Sequence, residues 1–319
     1  MFKNILGDKY MFFRTDMAVE RRDVYRAANK IKDEINGVKC EQEKTLNTTI
    51  TRVKIYNKEG EKALQRKIGN YITIDIKKLN NITTENEEEI IKIFSDELGK
   101  VIDKHIKKDE EILIVGLGNL YSTPDSLGAK VVQNIEITRH IKIYLPNAID
   151  RNTRSVSAIT PGVLGTTGIE TIEIVKGIVD NIKPKLVIAI DSLCTKNINR
   201  INKSIQISDT GIIPGGGVGN RQEELSKETL NVPVIGVGVP TVVDLGTIID
   251  EGLEIFINKV QESAELKLYL NKLKKRYNYE EIKKILEAND YNMIVTPKEI
   301  DDLIDNMKDI IARGINYAV

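Results

Sequence analysis

Tryptophan is absent from this 319-residue chain, and histidine and cysteine occur twice each. His105 and His140 are too few for a His-rich zinc site. Cys40 and Cys194 lie far apart without metal-type spacing, so no metal is expected and a reducing, cytoplasmic compartment is the simplest reading. Neither charge is in excess. Lys plus Arg and Asp plus Glu both number 47, for a net charge of zero, which argues against a generally basic nucleic-acid-binding surface. Long apolar runs are missing too, so no membrane span is expected, and the first residues carry no secretory h-region. Fixed-period repeats and low-complexity tracts are also lacking. The length suffices for one large domain or two smaller ones.

What is present is organised around residues 111–128, EILIVGLGNLYSTPDSLG. Ile112, Leu113, Ile114 and Val115 form a short β-branched run, suited to a strand buried on both faces of a parallel sheet. Gly116, Gly118 and Asn119 follow, then a polar loop with Ser122, Thr123, Pro124 and Asp125. Loops at the carboxyl ends of strands are where open α/β sheets place their sites. Pro124 suits a first helical turn, so Asp125 is expected near a helix N-terminus, with no Lys or Arg between positions 113 and 129.

Residues 21–36 read as a charged helix. Residues 46–56 and 69–76 alternate as two strands of a hairpin region, with a turn at 57–60. Residues 83–106 form an amphipathic helix leading into the organising strand. A helix is expected from Asp125 to about 134, a strand over 137–145 (ITRHIKIYL), and a Gly- and Thr-rich loop over 156–168. Thr167 and Glu170 fit a capping box opening a helix at 169–182. Residues 185–191 (KLVIAID) and 232–239 (VPVIGVGV) are further buried strands, the first ending on Asp191. Pro240 is expected to end the second, with a helix from 241 to about 260. Residues 261–290 read as a surface helical insertion, and a final helix follows Thr296, Pro297 and Glu299. The fold expectation is α/β: a mainly parallel sheet with helices on both faces.

Asp125 and Asp191 both end buried strands. Side by side they could meet at one crevice, where two carboxyls perturb each other and one keeps its proton. Such a pair can activate water and protonate a leaving group, as peptide hydrolysis requires. An Asp at a strand end also commonly caps the next helix, and Asp244 fits that ordinary role. Two carboxylates alone are a weak metal site. Gly116 and Gly118 lack the third glycine of a dinucleotide fingerprint, and no P-loop Lys follows. Glycines at 215–219 could line phosphates or simply form a mobile loop. Cys194 has no nearby His in sequence and reads as a buried thiol.

Several long motifs then fall into place in order: RTDMAVE at 14–20, VGLGN and TPDSLG at 115–128, TRH at 138–140, PGVLGTTGIET at 161–171 and VIAIDSL at 187–193. They continue with ISDTG and PGGGVGN at 207–220, PTVVD at 240–244 and MIVTPKEID at 293–301. Together these resemble the germination proteases of spore-forming bacteria over nearly the whole chain. The resemblance implies an endopeptidase that begins degradation of small acid-soluble spore proteins in the cytoplasm of the spore core. It also implies an α/β fold like that of the hydrogenase maturation endopeptidases, with Asp125 and Asp191 as an unusual aspartic-type catalytic pair supported by Gly116, Gly118 and Asn119. Family members are zymogens. The matching self-cleavage point lies between Asp16 and Met17, making residues 1–16 a propeptide and 17–319 a single protease domain. A homotetramer is implied, with no cofactor and no direct nucleic-acid partner.

Ile213 stands where the family carries a His, which weakens any metal role. An acid before the cut needs a cation or N–H donors to read it, and Arg139, Arg154, Lys196, Arg200 and Arg221 are candidates. Two other readings compete. One is a maturation endopeptidase for a metalloenzyme precursor, against which RTDMAVE and the insertion argue. The other is a nucleotide- or phosphate-binding module using residues 116–119 and 215–220.

Overall fold

Strands of β-branched residues alternate with amphipathic helices through most of the chain, and the strands gather into one sheet. The computed structural model describes residues 14–77, 83–150, 153–215, 222–259, 264–276, 278–291 and 293–319. The chain opens with α1 (Ala18–Asn29), β1 (Val38–Lys44), β2 (Thr48–Ile55), α2 (Lys58–Leu64), β3 (Gly69–Ile76) and α3 (Thr84–Ile102). The middle comprises β4 (Ile112–Gly116), α4 (Leu127–Val132), α5 (Arg139–Tyr144), β5 (Val156–Ile159), α6 (Leu164–Thr167), α7 (Thr171–Ile182) and β6 (Leu186–Thr195). The rest runs β7 (Ser204–Ser208), α8 (Lys227–Leu230), β8 (Val234–Asp244), α9 (Leu245–Lys259), α10 (Ala264–Arg276), α11 (Tyr279–Ala288), β9 (Ile294–Val295) and α12 (Ile300–Ala318).

Among the described residues the strands pair in the order β1-β2-β3-β7-β8-β6-β4-β5, with β9 added beside β8. The pairs β4–β5, β4–β6 and β6–β8 are parallel. The other five pairings are antiparallel. The expected mainly parallel sheet is therefore corrected to a mixed one. Alternation within residues 46–56 and 69–76 identifies strands, but pairing direction depends on residues far away in sequence. Here β7 runs against β8 and lets the β1–β3 meander extend the parallel centre into a single sheet.

Successive side chains of a strand point to opposite faces. Ile112, Ile114, Ile188 and Ile190 pack against α3, α4 and α12 through Phe94, Leu98, Leu127, Val131, Ile304 and Ile311. Leu113, Val115, Val187 and Ala189 face Ile172, Val175 and Val179 of α7. Burial on both faces is why these strands read as unbroken apolar runs. Helices on both faces are as expected. At Gly314 of α12 an added Cβ would lie 2.2 Å from Phe94 Cδ1 of α3. Gly314→Ala should therefore overpack this interface and destabilise the fold by about 1–3 kcal/mol in chemical denaturation.

Several local expectations change. Residues 137–145 alternate like a strand, yet they form α5, with Ile143, Tyr144 and Leu145 exposed. The place beside β4 goes instead to β5, from the stretch expected to be loop. Thr138 ties the two together, its hydroxyl donating to the Arg154 carbonyl and accepting from Val156 N–H. Pro240 does not end its strand: β8 continues to Asp244. The register opposite Pro240 shifts between Leu193 and Cys194, and such an irregularity accommodates a residue lacking an N–H. The edge strand β1, largely charged and exposed, had no alternation to reveal it. The turn expected at 57–60 opens α2, capped by Asn57.

Candidate active site

The turn after β4 is shaped by glycine. An added Cβ at Gly116 would stand 2.2 Å from the Gly128 carbonyl oxygen, and one at Gly128 would stand 2.5 Å from those of Ile190 and Leu117. The ends of β4 and β6 and the first turn of α4 thus meet backbone to backbone. Gly118 has φ +93°, and a Cβ there would lie 2.0 Å from the Asp125 carbonyl oxygen; only glycine satisfies both demands. Asn119 N–H donates to the Asp125 carboxylate at 2.9 Å. Asp125 closes the 3-10 turn Thr123–Asp125, which the Thr241 hydroxyl of β8 pins by donating to the Pro124 carbonyl at 2.6 Å.

The neighbouring strand brings Asp191 to this turn. Gly116 pairs with Ile190, and Leu117 N–H donates to the Ile190 carbonyl at 2.8 Å. Asp191 is 1 % exposed. Its carboxylate accepts from Ser192 N–H at 2.8 Å and Gly215 N–H at 3.4 Å. Burial, then the Asp125 carboxylate, hold the Asp191 carboxyl well above the usual range, and Asp16 adds to the lift. Half-buried Asp125 is pushed up to about 6 by burial, against the opposing pull of Asn119 N–H. Both carboxyls are thus raised, and the two titrate as a pair. Such a coupled pair can supply an acid and a base together, the division of labour that hydrolysis needs. Among the described residues, no three of His, Cys, Asp and Glu gather as metal ligands would.

A third element reaches the same region. The segment before and into α1 lies along the end of β6, where Asp16 N–H donates to the Cys194 carbonyl at 2.9 Å. The Asp16 carboxylate accepts from Cys194 N–H at 2.8 Å. Gln206 of β7 grips this backbone at two points. Its Nε2 donates to the Asp16 carbonyl at 3.1 Å, and its Oε1 accepts from Ala18 N–H at 2.7 Å. Met17 is wholly buried and packs with Val19 and Leu193. Glu20 is buried where Thr195 Oγ1, the N–H groups of Lys196 and Asn197, and the Arg200 guanidinium all donate to it.

Of the basic residues considered for reading an acid, Arg200 serves Glu20 and Asp75. Arg139 pairs with Glu111, and Arg154 is buried against the Lys107 carbonyl and Asp103. Arg221 and residues 216–220 of the glycine-rich loop lie outside the described residues. Arg66 was not legible as a candidate. Its guanidinium lies 3.7 Å from the Asp16 carboxylate and donates to the Thr15 carbonyl at 2.9 Å, yet it follows α2 in sequence with no motif around it. Cys194 is buried, and burial holds its thiol far above the ordinary value. Asp244 accepts from Gly246 N–H, Thr247 N–H and the Tyr279 hydroxyl, an acid capping the start of α9. Ile213 lines the cleft beside Asp16, Arg66 and Gln206.

The family model described as germination protease matches residues 14–267 and 259–319. The germination protease of Clostridium acetobutylicum is 45% identical over 311 residues, spanning 96% of this chain and 94% of the relative. That of Caldanaerobacter subterraneus subsp. tengcongensis is 46% identical over 310 residues, with 96% and 94% covered. A Bacillus cereus germination protease is 36% identical, with 96% and 93% covered. With the match spread over nearly the full length of both partners, the chain belongs to the germination protease family.

Proposed function

We propose that this endopeptidase begins the degradation of small acid-soluble spore proteins at germination, and that it is made as a zymogen cut between Asp16 and Met17. The observation that carries this reading is the seating of residues 15–20. An acid, a buried apolar residue and a buried Glu lie in order along the end of β6, the strand that carries Asp191, and Asp16 is close enough to Asp191 to lift its pKa. Residues 1–16 act as a propeptide and 17–319 as one protease domain, assembled as a homotetramer in the spore core. No helix among the described residues is long and apolar enough to cross a membrane.

In this reading Asp125, ionised, takes a proton from water as the water oxygen adds to the Asp16 carbonyl carbon. The carbonyl electrons move onto oxygen. When they return, the C–N bond breaks and the Met17 nitrogen leaves as an amine, receiving its proton from Asp191. Backbone N–H groups of Asn119, Ser192 and Gly215 orient the two carboxyls throughout. The reaction is hydrolysis and balances without a further reactant.

Incubating the purified full chain and reading its mass and N-terminus over time tests the cut. The expected product begins at Met17. A product starting elsewhere, or a full chain that stays intact while cleaving peptides in trans, would overturn self-processing at this bond.

A further inference from the structure

Gln206 belongs to no motif of acid–base chemistry, yet it touches both sides of the bond assigned above to processing. Its carboxamide spans the Asp16 carbonyl and the Ala18 N–H, leaving the Asp16–Met17 peptide bond between the two contacts. The amide orientation follows from its partners: a carbonyl only accepts and an N–H only donates, so Nε2 must face Asp16. Gln206 is 7 % exposed, and Ile205 and Ile207 on either side of it are buried in the opposite core.

The sheet register explains why it stands there. Gln206 pairs with Gly238 of β8, and Gly238 pairs with Asp191 of β6. The three form one row across adjacent strands, so their side chains share a face. The middle member has no side chain. Gln206 and Asp191 therefore stand two strand spacings apart, ~10 Å between backbones, and Leu193 leans over Gly238 between them, where an added Cβ would lie 2.4 Å from Leu193 Cδ1. Gly236, two residues earlier on the same face, and Gly238 both line the cleft with Asp16. The segment around Asp16 crosses this end of the sheet, with Gln206 on its Asp16 carbonyl and Ala18 N–H and Asp191 near enough to feel the Asp16 charge.

Resting on the cut-site reading, we propose that Gln206 is a catalytic residue. Its Nε2–H donates to the carbonyl oxygen of the bond being broken and stabilises the negative charge that forms there when water adds, while its Oε1 holds the peptide in register through the N–H two residues on. Preorganised donors at such an oxygen contribute mostly to the rate of the chemical step.

The test follows self-processing of the full chain as a first-order rate, comparing wild type with Gln206→Glu and Gln206→Met. Each variant is expected to process ~10²-fold more slowly at neutral pH, with a thermal midpoint near that of wild type. Gln206→Glu keeps the acceptor for Ala18 N–H and regains a donor when protonated, so its rate relative to Gln206→Met should climb as pH falls through the carboxyl range. A purely structural role would not produce that climb. Processing within threefold of wild type in both variants would overturn the inference and leave the cut standing. A constant Glu-to-Met ratio across pH would also overturn it. Wild type failing to cut at Met17 would remove the cut and this inference together. Should a variant not fold, wild-type enzyme decides the matter on a peptide copying residues 12–24, with the nitrogen matching Ala18 methylated. A ~10-fold or larger loss of cleavage relative to the parent peptide is expected, and equal cleavage would overturn the role.

Discussion

Asp125→Asn and Asp191→Asn each lower the rate of self-processing, and of peptide cleavage in trans, by ~10³-fold or more. The substitutions are nearly isosteric and keep an oxygen for the Asn119 and Ser192 N–H donors, giving up only the 3.4 Å contact from Gly215 N–H, so the loss reports on proton transfer rather than on shape. In Asp125→Asn no base remains to take the water proton. In Asp191→Asn no acid remains to protonate the departing amine. Because the groups act as a unit, the double variant should be scarcely slower than either single one. Stability should move the other way. Burial raises both carboxyls above the ordinary value of 3.8, so the folded state binds their protons more tightly than the unfolded chain does. Their contribution to stability is full at acid pH and declines as pH climbs through the folded values. At pH 7 the melting midpoint of Asp191→Asn should therefore equal or exceed that of wild type. Running every rate with and without a strong chelator separates a proton-sharing pair from a metal-holding one. Activity that survives either substitution would remove that residue from the mechanism.

Lowering the pH from 7 to 4 slows cleavage ~100-fold through one ionisation near 6. The base must be ionised to work, and Asp125 is pushed up to about 6, so the rate rises with pH and levels off above that value. Asp191 must hold its proton, and burial beside Asp125 keeps its carboxyl well above the usual range, so a second, descending limb follows at higher pH. The two limbs are properties of the pair. Asp125→Asn, assayed at its residual rate, should lose the ascending limb. A wild-type profile flat from pH 4 to 7 would contradict the assignment of an ionised Asp125 as base. Gly118→Ala should move the ascending limb to higher pH, since a Cβ there displaces the Asp125 backbone and with it the Asn119 contact that favours the ionised form.

The acids and their loops were legible locally because strand ends, glycines and β-branched runs act over a few residues. Residues 112–116 and 69–76 alternate or cluster strongly enough to name their strands, and Gly116, Gly118 and Pro124 marked the loop that carries Asp125. Family motifs, which record such local solutions in order, carried the resemblance for the same reason. Pairing direction was not legible: β7 joins β3 to β8 across more than a hundred residues, and no local pattern encodes a partner that distant. The same limit applied to residues 137–145, whose strand-like alternation lost the place beside β4 to β5. It hid Arg66 and Gln206 as well. Neither sits in a chemical motif, and each reaches residues 15–18 only because β3, β7 and β8 align side by side. The sequence by itself singled out two acids and a segment shaped like a substrate, although Asp191, expected to end its strand, lies inside β6, which continues to Thr195 because its far half pairs with β8. Only the tertiary structure set Gln206, Gly238 and Asp191 in one row, because register across a sheet is decided by how whole strands bury their faces, not by any residue's neighbours in the chain.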